Sequence, residues 1–308
     1  MSSTDITSQV QQDKIAEVAS RPTRLKSKIA ADRFIYVLVI ILTISTAIPL
    51  FSILFELIVK GYKQFNLGLF TQVVPTSMEA MYARESGEII PGGILNGITG
   101  TLMMLAIAIA MAVPLGIFAG IFLAEKKESW LAKVVRVLTD ILQGIPSIVY
   151  GIVVYMWIVS TMHSFSALAG GVSLGFMMLP MIIRSTEESI AMIPTTLKEA
   201  GLGLGASYTS VMFRVIVPSA FGGLFTGILL AISRVMGETA PLMVTALGAN
   251  YISYNITKPM SAVSLLIWEF YNDPNLADLI WSSSLLLLIL IFGMNLLAKA
   301  VANKWRIN

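Results

Sequence analysis

The chain has no cysteine and a single histidine, His163, in 308 residues. Disulfides, thiolate metal sites, cysteine nucleophiles and histidine clusters are therefore excluded. Charge is scarce: Asp, Glu, Lys and Arg make up 13% of the sequence, against about a quarter in a soluble domain. No GxxxxGK[ST] phosphate loop is present, so this chain does not itself hydrolyse ATP. Paired carboxylates and nucleophile constellations are lacking too, which speaks against a membrane-embedded enzyme. The formal net charge of +3 says less than where the Lys and Arg lie.

What is present is apolar length. Hydrophobic residues make up 56% of the chain, and mean hydropathy is +0.80. Apolar runs of about 20 residues recur, which predicts an all-α polytopic membrane protein, not a barrel of alternating ten-residue strands.

Residues 1–20 read as a mobile polar tail within a cytoplasmic polar segment at 1–30, and Arg21, Arg24, Lys26, Lys28 and Arg33 precede the first apolar run. The first span is predicted from Phe34 to about Val59, an uncleaved anchor too long for a signal-peptide core. A polar loop, Lys60 to Gly92, follows, with Tyr62, Phe65 and Tyr82 placed at the interface. Further spans are predicted at about Ile98–Ala124, Val134–Ser160 with a break near Gln143–Pro146, Phe165–Ile183, Pro218 to past Gly237, and Leu279–Val301. A mostly polar connection runs from about Gly248 to Asp278. Within it, Ala262–Tyr271 reads either as an amphipathic helix on the outer surface, anchored by Trp268, or as a contact for a delivery protein.

Six spans put both termini on one side. With the N-terminus inside, sixteen of the 21 Lys and Arg fall in cytoplasmic segments. Four (Lys60, Lys63, Arg84 and Lys258) lie outside, and Arg234 lies in the membrane. That asymmetry supports the N-in, C-in arrangement.

Between the fourth and fifth spans, Ile193–Pro218 is too polar and glycine-rich to cross a bilayer. It reads as a short helix opened by Pro194, a turn at Gly201, Gly203 and Gly205, and a second short helix from about Ser207. Its spacing is Glu199-Ala200-Gly201, three residues, Gly205, nine residues, then Val215-Ile216-Val217-Pro218. This resembles the EAA loop of ABC-importer permeases, with Gly201 for the second Ala and Val215 and Val217 for Ile and Leu. In that family the loop is the coupling helix that docks on the ATPase. The resemblance gives that role to Lys198, Glu199, Ala200, Gly201, Gly205 and Pro218. An ordinary cytoplasmic connector is the alternative.

Arg234 and Glu238 are four residues apart and are expected to share a helix face. An Arg within an apolar span faces the bundle interior, a partner or a water-filled path. Its guanidinium offers a fork of donors to an anionic oxygen substrate, with Glu238 placing it and preventing permanent capture. A purely structural ion pair is the competing reading. Counted from Pro218, Arg234 lies about 24 Å along the span, toward the outer half. Arg184 stands at the inner end of the fourth span with Glu187 and Glu188 beyond it. It is read either as part of the path or as a snorkelling interfacial Arg paired on its own helix. Gly144-Ile145-Pro146-Ser147 marks a kink or a cavity-lining break, and His163 a solvated loop residue.

Further stretches extend the resemblance to about residues 30–305: Gly92-Gly93-Ile94-Leu95-Asn96, Gly100-Thr101-Leu102, Ile145-Pro146-Ser147-Ile148-Val149-Tyr150-Gly151, Leu179-Pro180 through Arg184-Ser185-Thr186-Glu187-Glu188, and Gly237-Glu238-Thr239-Ala240-Pro241-Leu242. Together these are similar to the phosphate-specific branch of the MetI-like permeases. Ala240-Pro241 stands where the PstC-like sister subunit usually has Met-Ala, so the likeness is to the other member of the pair. The resemblance implies a MetI-like fold of six transmembrane helices over a core at residues 96–305, preceded by the first helix and outer loop at 31–95. It implies a multi-pass chain in the bacterial inner membrane. It also implies a PstC-like sister permease, two PstB-like ATPase subunits carrying the ATP and Mg, a PstS-like phosphate-binding protein and inorganic phosphate as cargo. Arg234, Glu238, Thr239 and Arg184 would line the anion path. No cofactor on this chain and no nucleic acid are implied. The same fold moving another oxyanion, and a self-sufficient carrier or channel, are the competing functions. The docking loop argues against the carrier.

Overall fold

The computed structural model describes residues 22–304. The polar tail at 1–20, Arg21 and Arg306 lie outside them, as do the side chains of Arg24, Lys26, Lys28 and Lys304. The chain divides into a unit that ends at Glu56 and a second unit from Leu57. Helix α1 (Pro22–Gly61) starts well before the apolar run, so the last part of the expected tail is helical. Pro22 suits a first helical position because its fixed φ is already helical and its missing N–H is not needed there. From Phe34 to Phe55 the large apolar side chains are mostly exposed, as for a helix solvated by hydrocarbon.

The second unit contains α2 (Ser77–Glu85), α3 (Leu95–Glu125), α4 (Trp130–Gly144), α5 (Ser147–Val154), α6 (Ala167–Ala191), α7 (Thr195–Gly203), α8 (Tyr208–Val211), α9 (Phe221–Val235), α10 (Ala240–Met243), α11 (Val263–Asn272) and α12 (Ala277–Lys304). One wide π turn extends α5 over Tyr155–Val159, and another extends α8 over Met212–Ile216. Among the described residues four helices, α1, α3, α6 and α12, are long and apolar enough to cross a membrane. The third and fifth predicted spans are bent pairs. The segment Trp130–Gly144 meets Ser147–Met162 at 105°, and Tyr208–Ser219 meets Phe221–Val235 at 66°.

Helix α6 is the centre of the unit, packed against α3, α4, α5 and α9. Lipid supplies no hydrophobic force between helices, so close approach of small residues provides the contact. A Cβ on Gly120 would lie 2.4 Å from Thr186 Cβ, and one on Gly227 would lie 2.3 Å from Ser185 Cβ. Gly223 meets Ser189 one turn away in the same fashion. The α3–α6–α9 seam is thus a small-residue interface sealed by Met104, Met178, Ile182 and Ala231.

Two outer segments differ from the sequence reading. Lys60–Gly92 is not a bare loop. Leu69, Ile90 and Ile94 are fully buried with Phe270 and Leu279 in a separate apolar cluster. Nor is Ala262–Tyr271 laid on the surface: α11 buries Val263, Leu265, Leu266 and Phe270, while Trp268 stays 45% exposed. The start of α11 dips inward, where Thr101 Oγ1 accepts from the Val263 amide at 3.0 Å. The preceding loop is held by Asn96 Nδ2, which donates to Ala249 O at 2.7 Å, and by Ser261 Oγ, which accepts from the Ala249 amide at 2.8 Å.

Candidate functional site

The kink in the third span and the end of α9 both lie beside the middle of α6. At the first break Pro146 has no N–H, so the Leu142 carbonyl, four residues earlier, loses its helical donor. Tyr150 Oη donates to it instead, across the break. Gln143 Nε2 donates to Pro180 O at 3.4 Å, which fixes the end of α4 beside the middle of α6. The fifth span bends at Ala220, and its helix α9 ends at Val235. Helix α9 has 15 residues, about 22 Å at 1.5 Å each, short of the roughly 30 Å of hydrocarbon. The short helices α5 and α10 touch. A Cβ on Gly151 would lie 2.6 Å from Val244 Cγ2 and 2.8 Å from Pro241 Cα, so only glycine lets α5 lie on α10. The Ile-Pro-Ser and Gly-Glu-Thr segments, singled out separately in the sequence, lead into two short helices that meet where α10 follows the end of α9.

Arg234 stands at this point, in the last turn of α9, where a cation complements the helix carbonyls. Its Nη1 lies 3.6 Å from Met181 Sδ. Met181 is about 21 Å from the outer end of α6 and about 15 Å from its inner end. The guanidinium is thus level with the middle of α6, not with its outer end. The expected shared helix face also fails: α9 ends at Val235 and Glu238 lies beyond the turn. Arg234 Nε and Glu238 Oε1 are 3.9 Å apart, with side chains 49% and 19% exposed. Glu238 is placed through its backbone, since Ser264 Oγ donates to Glu238 O at 2.8 Å. Thr239 Oγ1 donates to Ser264 O at 3.4 Å.

Arg184 is engaged on both sides. It pairs with Asp140 on α4 and, at 3.1 Å, with Glu187 on its own helix. Glu187 in turn accepts from Arg136 at 2.7 Å. Two cations and two carboxylates form a chain that fastens α4 to α6. Arg136 and Asp140 were not singled out in the sequence. The signal was present, because Lys133, Arg136, Asp140 and Gln143 recur at helical spacing on one face of α4.

On the cytoplasmic side the polar stretch folds as a helix, a turn and a second helix. Gly201 and Gly203 lie inside α7, and the turn itself is Leu204–Ala206, with Gly205 left-handed at φ +83°. Ser207 caps α8 by accepting from the Ser210 amide at 3.3 Å. Gly201 sits against α8, since a Cβ there would lie 2.9 Å from Val211 Cγ2. That contact explains glycine in place of the second Ala. Lys198 pairs with Glu125 at the inner end of α3, and Tyr208 Oη donates to the same carboxylate at 2.6 Å. Lys198 Nζ also lies 4.9 Å from the centroid of the Tyr208 ring. Glu125 and Tyr208, missed in the sequence, thus tie the loop to a membrane span. Glu199, Ala200 and Leu204 face outward, Leu204 being 89% exposed. Pro218 lies just before the bend into α9.

Residues 112–307 match the family of binding-protein-dependent transport system inner membrane components. The phosphate transport system permease protein PstA of Yersinia pestis is 36% identical over 274 residues, covering 86% of this chain and 90% of its own length. PstA of Xylella fastidiosa is 37% identical over 249 residues, covering 80% and 83%. A chain of the MetNI methionine ABC transporter, solved in inward-facing conformations, superposes with a TM-score of 0.56 at 18% identity, covering 75% of this chain and 99% of that one. That last likeness concerns the fold alone. By the family match and by the identity to curated relatives over most of both chains, this chain belongs to the PstA family of permease subunits within the binding-protein-dependent transport system inner membrane components.

Proposed function

We propose that this chain forms half of the membrane path of an ATP-driven importer of inorganic phosphate, with a PstC-like sister permease supplying the other half. The substrate is supported by the relatives, whose shared name is phosphate transport system permease protein. The path rests on one observation: Arg234 stands half-exposed at the end of α9, level with the middle of α6 and with the kink in the third span. A guanidinium presents paired donors that match two phosphate oxygens. Glu238, at 3.9 Å, is close enough to lower the cost of the unliganded cation and too far to saturate its donors. Thr239 adds a hydroxyl at the same turn. Arg184, held between Asp140 and Glu187, braces α4 beside the path. The exposed apolar side chains of α4 and α5, among them Val137, Ile141, Ile152 and Met156, support pairing with the sister subunit on that side.

Two PstB-like ATPases hold the ATP and Mg and dock on α7 through Lys198, Glu199, Ala200 and Gly201. Gly205 and Pro218 shape the return of the chain to the membrane. A PstS-like protein delivers phosphate from outside. Motion of the docked ATPases reaches α3 through Glu125 and reaches Arg234 through the bend into α9, which biases a two-state rocking of the broken spans. Uptake of radiolabelled phosphate by the reconstituted complex tests the path. Arg234→Gln is expected to lower uptake at least tenfold, about 1.4 kcal/mol or more, while the complex assembles and hydrolyses ATP. Uptake at the wild-type rate would refute the role of Arg234.

A further inference from the structure

Glu238 is fixed by its backbone, and its carboxylate is left open. Its amide donates to Val235 O at 3.1 Å, and its carbonyl accepts from Ser264 Oγ at 2.8 Å. The side chain is only 19% exposed, yet among the described residues its oxygens accept no hydrogen bond. Its one ionic neighbour there is Arg234 Nε, at 3.9 Å. A structural pair of these two side chains closes to about 2.7–2.9 Å. Here it does not close, and Arg234 Nη1 turns to Met181 Sδ instead. Sheltered polar groups in folded proteins are hydrogen-bonded as a rule. A carboxylate without a donor, beside a guanidinium with donors to spare, fits a ligand that has negative oxygens for the one and an O–H for the other.

We propose that Glu238 makes the site selective for protonated oxyanions: its carboxylate accepts the P–OH of a hydrogen phosphate whose other oxygens lie on Arg234. This rests on the anion-path reading of Arg234. At neutral pH inorganic phosphate keeps at least one P–OH, and arsenate keeps an As–OH. Sulfate has no proton to donate. It leaves the carboxylate unpaired and meets it as a like charge. A site built around a substrate O–H rejects an analogue that lacks it far more strongly than a pocket rejects a misfit in size. One hydrogen bond to a charged group amounts to about ten- to a hundredfold in affinity.

Equilibrium dialysis of radiolabelled phosphate against the assembled membrane complex tests this, with the soluble binding protein left out so that its own selectivity does not enter. Unlabelled phosphate, arsenate and sulfate are the competitors. In the wild type arsenate is expected to match phosphate within about threefold, and sulfate to compete at least about tenfold more weakly. Glu238→Gln removes the repelling charge and supplies an amide donor, so sulfate should gain at least about fivefold relative to phosphate. A carboxylate with a purely structural role gives no such gain. Sulfate competing as well as phosphate in the wild type overturns the proposal without recourse to a variant. An unchanged sulfate-to-phosphate ratio in Glu238→Gln overturns it too. Arg234→Gln is expected to lose binding of all three anions. Phosphate binding that persists in Arg234→Gln, or that is absent from the wild type, would overturn the anion-path reading and this inference with it. Binding lost in Arg234→Gln while the ratio stays unmoved in Glu238→Gln would overturn the role of Glu238 alone.

Discussion

At the scale of single residues, the charged groups separate by how completely they are satisfied. Arg184 has two carboxylate partners, whereas Arg234 has a thioether and a carboxylate at the limit of contact. The more weakly held cation is the one with donors to offer. Glu125 is the opposite case, a carboxylate gripped by Lys198 and Tyr208. Glu125→Gln is expected to weaken that grip by about 1 kcal/mol, since the pair is partly exposed. More ATP should then be hydrolysed per phosphate moved, with assembly unchanged; an unaltered ratio would show that the tie carries no motion. Glu269 offers a pH test. It lies under Gly248 in the outer part of the fold, and burial pushes its carboxyl up from the usual 4.5. A raised folded-state value means that stability is fully present below the unfolded value and is lost as pH rises through the folded one. Glu269→Gln should therefore raise the melting temperature at about pH 8, with the gain vanishing toward 4.5. Intrinsic tryptophan fluorescence reads the melt, and a gain that does not change with pH would contradict the assignment.

At the scale of elements, the seam between α6 and α9 has no room to spare. Gly227→Ala places a methyl 2.3 Å from Ser185 Cβ, so the helices must part. Overpacking of this kind costs about 1–3 kcal/mol. Adding Ser185→Gly is expected to recover most of the loss, because the two positions share one contact. Thermal unfolding of the single and double variants decides it; independent, additive effects would mean that the seam is not the cause. The broken elements follow from ordinary chain chemistry. Pro146 removes a donor, so the third span stops as one regular helix. What cannot be read from the residues is that α5, after the kink at Pro146, and α10, after the end of α9, touch through Gly151 and Pro241.

At the scale of the whole molecule, a member of the PstA family is a multi-pass inner-membrane permease subunit and not an enzyme. Much of its apolar surface stays exposed in the isolated chain, as expected for a protein whose solvent is lipid and a sister subunit. The charge sort places both termini in the cytoplasm. A reporter fused after Asn308 should accordingly be active only on the cytoplasmic side, and a periplasmic signal would overturn the topology.

Apolar run length, Lys and Arg placement and the spacing from Glu199 to Pro218 were enough to establish the helical class, the spans and the cytoplasmic loop. These depend on local quantities: the transfer free energy of about 20 residues, the cost of moving cations across, and the turn chemistry of Gly and Pro. Long-range packing settled the rest. It put Arg234 beside the middle of α6, drew Arg184 away into a network with Asp140, and tied Lys198 to Glu125 across a long stretch of sequence. It also turned Val263–Asn272 inward, where a run read as amphipathic buries Phe270 against the outer segment that follows α1. In lipid, small-residue contacts and paired polar groups decide such arrangements, and the partners they need are distant in sequence.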